Sequence, residues 1–249
     1  MASTDRPQRR ALTLVVALTA LVGLPALTGL ASPAAAVPGA AIVPDRFSTT
    51  IDNPFLPFPP GTRMVYRTVD GADRGREVVH VTHRTRLVDG VRVRVVRDRA
   101  YLAGSLVEDT RDLYAQDRRG NVWYFGERTA EIDHGRVVST EGSWLAGRNG
   151  AKPGIVMEAR PRVGDSYAQE DAPGVGEDRA TVLSLDGRAT VPFGSFTHLL
   201  KTKDFSPLEP AVVEHKKYLR GVGSILEKEV RGGTERLALI RVIYTVSHS

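Results

Sequence analysis

The densest grouping of chemically useful side chains runs from Glu108 to Glu127, EDTRDLYAQDRRGNVWYFGE. It brings the carboxylates Glu108, Asp112 and Glu127 together with Tyr114, Trp123 and Phe125. Facing carboxylates serve acid–base work or hold a hard cation. Aromatic rings beside them give a pocket an apolar floor. Two strands would have to position these groups. Asp117-Arg118-Arg119-Gly120-Asn121 supplies the residues that tolerate φ > 0 and bond to nearby backbone, so it should close a hairpin. The arm that follows, Asn121 to Glu127, is dense in strand formers. Strict alternation puts Trp123, Phe125 and Glu127 on one face and Val122 and Tyr124 on the other. On the first arm Asp112, Tyr114 and Gln116 share a face, joined by Glu108 and Thr110 if the strand is unbroken. A plain hairpin with solvated acids uses the same residues, and carboxylates are rarely buried unless paired.

Other candidates lie outside this stretch. His80 and His83 are three apart, which on a strand points them to opposite faces. Glu214-His215 is an adjacent acid–histidine pair, and adjacent strand residues also diverge. A site would take His215 from this strand and Glu108, Asp112 or Glu127 from the central hairpin. Trp144 opens a loop over residues 142–154 that is rich in Gly, Asn and Pro, where a ring can cover a cavity. No metal is assigned, and no cofactor follows from these residues. Gly194-Ser195-Phe196 lacks the second glycine and the helix of a nucleophile elbow. Gly221-Val222-Gly223 lacks the third glycine and the helix of a phosphate cradle.

The first 36 residues read as a leader. Arg6, Arg9 and Arg10 precede an uncharged apolar run from Ala11 to Ala31, and Ala34-Ala35-Ala36 offers a cleavage site. The residues after Arg9-Arg10 match a twin-arginine motif poorly. Pro25 and the alanine-rich end argue for cleavage over retention as an anchor, and no later segment is apolar enough to cross a membrane. Export places the mature chain in a secreted or extracytoplasmic setting. The chain has no cysteine, which excludes disulfides and zinc–thiolate sites. Its formal charge is +5, and basic residues alternate with acids, as in Arg97-Asp98-Arg99. With no stripe of one sign in the sequence, nucleic-acid binding is not expected.

Residues 37–50 read as a flexible tether, and residues 51–249 as one β domain. Ile51 to Gly61 carries four prolines and should lie extended against the domain, pinned by Phe55, Leu56 and Phe58. From Thr62 onward short alternating runs are separated by turn signals, the clearest being Asp89-Gly90. No amphipathic helix exceeds a turn or two. The fold expected is all-β with little helix: a strongly curved antiparallel meander, as a half-barrel or open barrel.

The runs Asp112-Leu113-Tyr114-Ala115-Gln116-Asp117 and Gly120-Asn121-Val122-Trp123-Tyr124-Phe125-Gly126-Glu127 resemble a family of exported bacterial proteins of unknown function. Matching runs include Ile51-Asp52-Asn53-Pro54, Ser139-Thr140-Glu141-Gly142-Ser143-Trp144 and Glu214-His215-Lys216-Lys217-Tyr218. The likeness covers nearly the whole mature chain. Where that family often has Trp before Tyr-Ala-Gln-Asp, this chain has Leu113. The final third is similar to periplasmic β-meander proteins whose curved sheets resemble lipoprotein-carrier half-barrels. The resemblance implies fold and export and supplies no reaction.

The expected function is therefore non-enzymatic binding of a small molecule, lipid-like or other, on the concave face. Trp123, Phe125 and Trp144 would border the hollow, and Glu108, Asp112, Tyr114, Glu127 and His215 would supply polar contacts. A carboxylate- or metal-dependent secreted hydrolase and a structural envelope protein are the alternatives. Protein partners do not follow from the sequence.

Overall fold

A computed structural model describes residues 42–244. The leader expected over residues 1–36 lies outside the described residues. A single 3₁₀ turn at Pro44–Arg46 leads into the short strand β1 (Phe47–Ser48). An up-and-down run follows: β2 (Arg63–Asp70), β3 (Asp73–Val88), β4 (Val91–Leu102), β5 (Ser105–Asp117) and β6 (Val122–Arg128). Short strands come next: β7 (Glu131–Asp133), β8 (Arg136–Ser139), β9 (Trp144–Leu145), β10 (Lys152–Met157), β11 (Ser166–Ala168) and β12 (Glu170–Asp171). The second run is β13 (Arg179–Val191), β14 (Gly194–Phe205), β15 (Val213–Leu219), β16 (Gly223–Arg231) and β17 (Arg236–Ile243). Among the described residues there is no α-helix.

Consecutive long strands pair antiparallel, as short turns require. The Asp89-Gly90 turn has both residues at positive φ, 47° and 78°, the conformation a two-residue hairpin needs. The sheet curls until β17 meets β2, from Arg236↔Val69 to Ile243↔Arg63. On the other side β6 pairs with β10, and β10 reaches β12 through only Lys152↔Asp171 and Pro153↔Glu170. β11 then joins β13. The result is a barrel nearly closed, with one unsealed seam between β10 and the β11–β12 segment.

Two apolar layers hold it. Inside, Tyr66, Val79, Tyr114, Tyr124, Leu200 and Tyr218 are buried. Outside, the face of β4–β6 carrying Val91, Val93, Leu113, Ala115 and Phe125 is covered rather than wet. Phe47 packs edge-on against both Trp123 and Phe125, at ring distances of 5.9 and 5.4 Å. Ala146 N–H donates to the Phe125 carbonyl and brings the 144–151 loop over the same face. Residues 44–48, which sequence placed in the tether, are thus part of the fold: Phe47 and Ser48 pair with Asp117 and Gln116.

The proline-rich segment is not extended as expected: Phe58 N–H donates to the Ile51 carbonyl and Leu56 N–H to the Asn53 carbonyl, so it folds back as a loop across one mouth of the barrel. Asp52 and Asn53 N–H both donate to Gln116 Oε1, and Gly221 N–H donates to the Pro54 carbonyl. Asn53, 1% exposed, donates to the carbonyls of Gly120 and Glu158 and accepts from Phe55 and Leu56 N–H. Phe58 enters the mouth and meets the Tyr114 ring at 5.1 Å.

Pleating also sorts charge between the two faces of the sheet. In Arg97-Asp98-Arg99 the aspartate is buried inside, while Arg97 lies outside, paired with Asp109 at 2.6 Å. Glu227 and Lys228 split the same way. A sequence mixed in sign becomes a sheet with acids on its inner face and bases on much of its outer one.

Candidate functional site

The β5–β6 ladder sets the inner wall. Asp112 pairs with Glu127 and Tyr114 with Tyr124, so β6 spends one more residue than β5 between these pairs. That extra residue is a β-bulge at Phe125-Gly126. Gly126 has φ 117°, and a Cβ there would lie 2.3 Å from the Trp144 carbonyl oxygen, so only glycine fits. The bulge overturns the alternation expected from sequence. Glu127 leaves the face of Trp123 and Phe125 and joins Tyr124 and Asp112 on the inside. Trp123 and Phe125 stay outside, packed on Phe47, and Trp123 Nε1 donates to Asp117 Oδ2 at 3.0 Å. They do not border the lumen.

His215 is also outside. Its neighbours across the ladder are Lys203 and Lys228, while Lys216 turns inward. Burial first, then the charges of Lys201, Lys217 and Lys203, hold its imidazole below the usual range. It therefore does not meet Glu108, Asp112 or Glu127. Trp144 does face inward: it pairs with Glu127, and its ring meets Tyr124 edge-on at 5.5 Å.

Carboxyl groups line the inner wall almost without a break. Glu77 on β3 lies diagonal to Asp98 on β4, and all four of their carboxyl oxygens are buried without hydrogen-bond partners. Desolvation, then each group's like-charged neighbours, push both well above the usual carboxylate range. Next come Glu108 and Asp112. Thr110 Oγ1 donates to Glu108 Oε1 at 2.9 Å, and Tyr124 O–H donates to Asp112 Oδ1 at 2.7 Å. Burial raises Asp112 to about 7 despite that bond. Thr129 Oγ1 donates to Glu127 Oε2 at 3.1 Å, and burial with Asp112 and Glu108 raises Glu127 strongly. Across the seam Glu170 is raised by burial and by Asp178, and burial lifts Asp178 to about 6.

Lys216 is the only lysine buried among the described residues. Its Nζ lies 3.4 Å from Glu227, 3.7 Å from Glu214 and 4.0 Å from Asp204. These three acids keep its ammonium charged although burial opposes it. Lys216 thus serves acids from β14, β15 and β16, one part of a wall of acids that runs around much of the barrel.

Between this wall and the mouth segment is a cavity of about 60 Å³. Four rings, Phe58, Tyr114, Tyr124 and Tyr218, line it together with Glu170, Asp178, Glu227 and Lys216. Glu170 Oε1 is buried there without a partner. Of the residues singled out from sequence, Tyr114 lines the cavity. Glu108, Asp112, Glu127 and Trp144 stand behind it in the wall. Phe58 was assigned to a structural wrap, and Lys216 was passed over beside the more conspicuous His215. Glu170 and Asp178 each sit in an adjacent acid pair, Glu170-Asp171 and Glu177-Asp178, a pattern that carries no sign of facing a cavity. Among the described residues no three histidines or carboxylates are arranged to hold a metal ion. No helix of the described residues is long and apolar enough to cross a membrane.

No family model and no curated protein matches this sequence. Three solved structures are similar in shape. One, described as exported and of YmcC-like fold, from Bacteroides fragilis, has a TM-score of 0.45 at 11% identity, covering 76% of this chain and 98% of its own. A second, described as a lipoprotein, from Parabacteroides distasonis, has a TM-score of 0.41 at 10% identity, covering 76% of this chain and 98% of its own. A third, a beta-barrel-like protein of a domain of unknown function from Brucella abortus, has a TM-score of 0.43 at 13% identity, covering 74% of this chain and 98% of its own.

Proposed function

We propose that this chain is an exported, non-enzymatic binding protein that takes a small protonated amine into its acid-lined lumen, behind the proline-rich segment. Export rests on the basic, apolar and alanine-rich succession of the first 36 residues. The observation that carries the binding reading is the cavity lining. Four aromatic rings and three carboxyl groups converge on one space, and Glu170 Oε1 has no partner there. Ring faces and carboxylates together are the chemistry that recognises an ammonium group. The wall also holds more acid than Lys216 neutralises, so a second cation entering would relieve repulsion.

The same features argue against a lipid. Cavities for drug-sized ligands run to about 300–1,000 Å³. A space of about 60 Å³ has room for an ammonium head and a few atoms, and charged walls reject an acyl chain. Asp112 and Glu127 face each other in register but line no open cleft, which removes the geometry a carboxylate hydrolase needs.

The test is a thermal-shift and calorimetric titration with choline, putrescine and spermidine, against lauric acid and glucose. Stabilisation by an amine, lost in Glu170→Gln and Glu227→Gln, is the expected result. No response to any amine, or a response to lauric acid alone, overturns the reading.

A further inference from the structure

The outer face of β14–β17 carries two cationic rows that the chain order hides. In the first, Arg236, Lys228, His215 and Lys203 stand directly opposite one another on four successive strands. In the second, Lys217 and Lys201 are paired, continued by Leu226 and Ala238. Strands lie about 4.8 Å apart and every second residue about 7 Å further along, so five lysine and arginine side chains, with His215 among them, fall within a patch about 15 Å across. Neither row contains a carboxylate. Like charges directly opposite one another destabilise a sheet. The strain registers at Lys217, where burial and then Lys201 hold the ammonium below its usual range.

Exposed apolar side chains border the rows. Leu183 and Leu185 project from β13 beside Lys201, and Val230 lies two residues beyond Lys228. Phe205, on the same strand as Lys201 and Lys203, is covered by Lys203, whose Nζ lies 4.7 Å from the ring centroid. Single-stranded nucleic acid is held by a series of open rings on which bases stack; here Phe205 is covered by Lys203, and Phe193 and Phe196 at the β13–β14 turn stack on each other. Clusters of about four to eight basic residues with apolar neighbours suit a sheet of anionic headgroups, with the charges at the phosphates and the aliphatic tips dipping below them.

We infer that the β14–β17 face docks this protein onto a bilayer surface bearing anionic phospholipid headgroups. The basis is charge complementarity with bordering aliphatic side chains, and it is independent of what the lumen holds. Peripheral docking of this kind uses no membrane-spanning segment.

The experiment is co-sedimentation of the protein, freed of its leader, with vesicles of phosphatidylcholine alone or mixed in equal parts with phosphatidylglycerol. Binding is expected only to the mixed vesicles, and should be lost between about 0.05 and 0.5 M salt as the Debye length shrinks. The variant Lys201→Glu/Lys203→Glu/Lys228→Glu should lower the partition coefficient at least about tenfold. The charge-matched control Arg119→Glu/Arg136→Glu/Arg148→Glu, all exposed and on other elements, should change it less than about threefold. Absence of wild-type binding, an equal loss in the control, or tighter binding to an oligonucleotide of equal phosphate content each overturns the proposal. The salt dependence of the wild type keeps the test decisive if the variant does not fold.

Discussion

Asp112 stands directly across from Glu127 in the β5–β6 ladder, two buried carboxyl groups side by side. An undisturbed alternation from Trp123 would have sent Glu127 to the opposite face. The single extra residue at Phe125-Gly126 brings the pair together, and it does so only because position 126 has no side chain.

Gly126→Ala therefore should cost about 3 kcal/mol or more, combining a φ forbidden to alanine with a clash against the Trp144 carbonyl. Urea unfolding measures it. A loss below about 1 kcal/mol would mean that the bulge relaxes freely.

Stability should fall as pH rises through the neutral range, the reverse of ordinary acid unfolding. Burial raises Asp112 and Glu214 to about 7 and Asp178 to about 6. In the unfolded chain such groups ionise near about 4. Between those limits the folded state holds more protons, so stability is full below about pH 4 and is lost as pH climbs towards 7. The melting temperature should drop between pH 5 and pH 8. Asp112→Asn, which keeps an acceptor for Tyr124, should be the more stable form at pH 8 and should flatten the profile.

Lys216→Met leaves Glu227, Glu214 and Asp204 without their cation. Removing one partner of a buried ionic group costs about 3–5 kcal/mol. The loss should be larger at pH 8 than at pH 5, where Glu214, raised by burial to about 7, can neutralise itself by protonation. Equal losses at both pH values would show that the lysine acts by packing alone.

Asn53→Ala deletes the side chain that ties the mouth segment to the Gly120 and Glu158 carbonyls. A cost of about 2 kcal/mol is expected. Hydrogen exchange should quicken at Phe55, Leu56 and Phe58 while the β3–β4 amides keep their protection. Uniform acceleration across the barrel would show that the segment is integral to the sheet rather than a cover over it.

Much of the fold was legible from turn chemistry and period-two patterning. Asp89-Gly90, Ala103-Gly104 and the 117–121 turn all fall between paired strands. The prolines of residues 54–60 correctly marked chain that joins no sheet. Facing was less legible. Val91 and Val93 alternate with Arg92 and Arg94 and are fully buried, yet they lie on the outer, covered face rather than in the lumen. Both faces of β4–β6 are covered, and alternation does not tell which cover is the lumen. The bulge at Gly126 was unreadable for another reason: a glycine in a strand signals irregularity but not its register. The cavity itself joins Phe58, Glu170 and Lys216, residues far apart in sequence that only barrel closure brings together.

That closure has a temporal consequence. β2 is among the first of the described strands to be synthesised, and β17, its hydrogen-bonded neighbour, is the last of them. Until residues 236–243 emerge, β2 presents an unsatisfied edge open to stray strand pairing. Assembly of this sheet must therefore await the whole polypeptide, which makes the chain slow to fold and dependent on protection in transit. A product ending before residue 236 would be left with two raw edges and a marked tendency to aggregate.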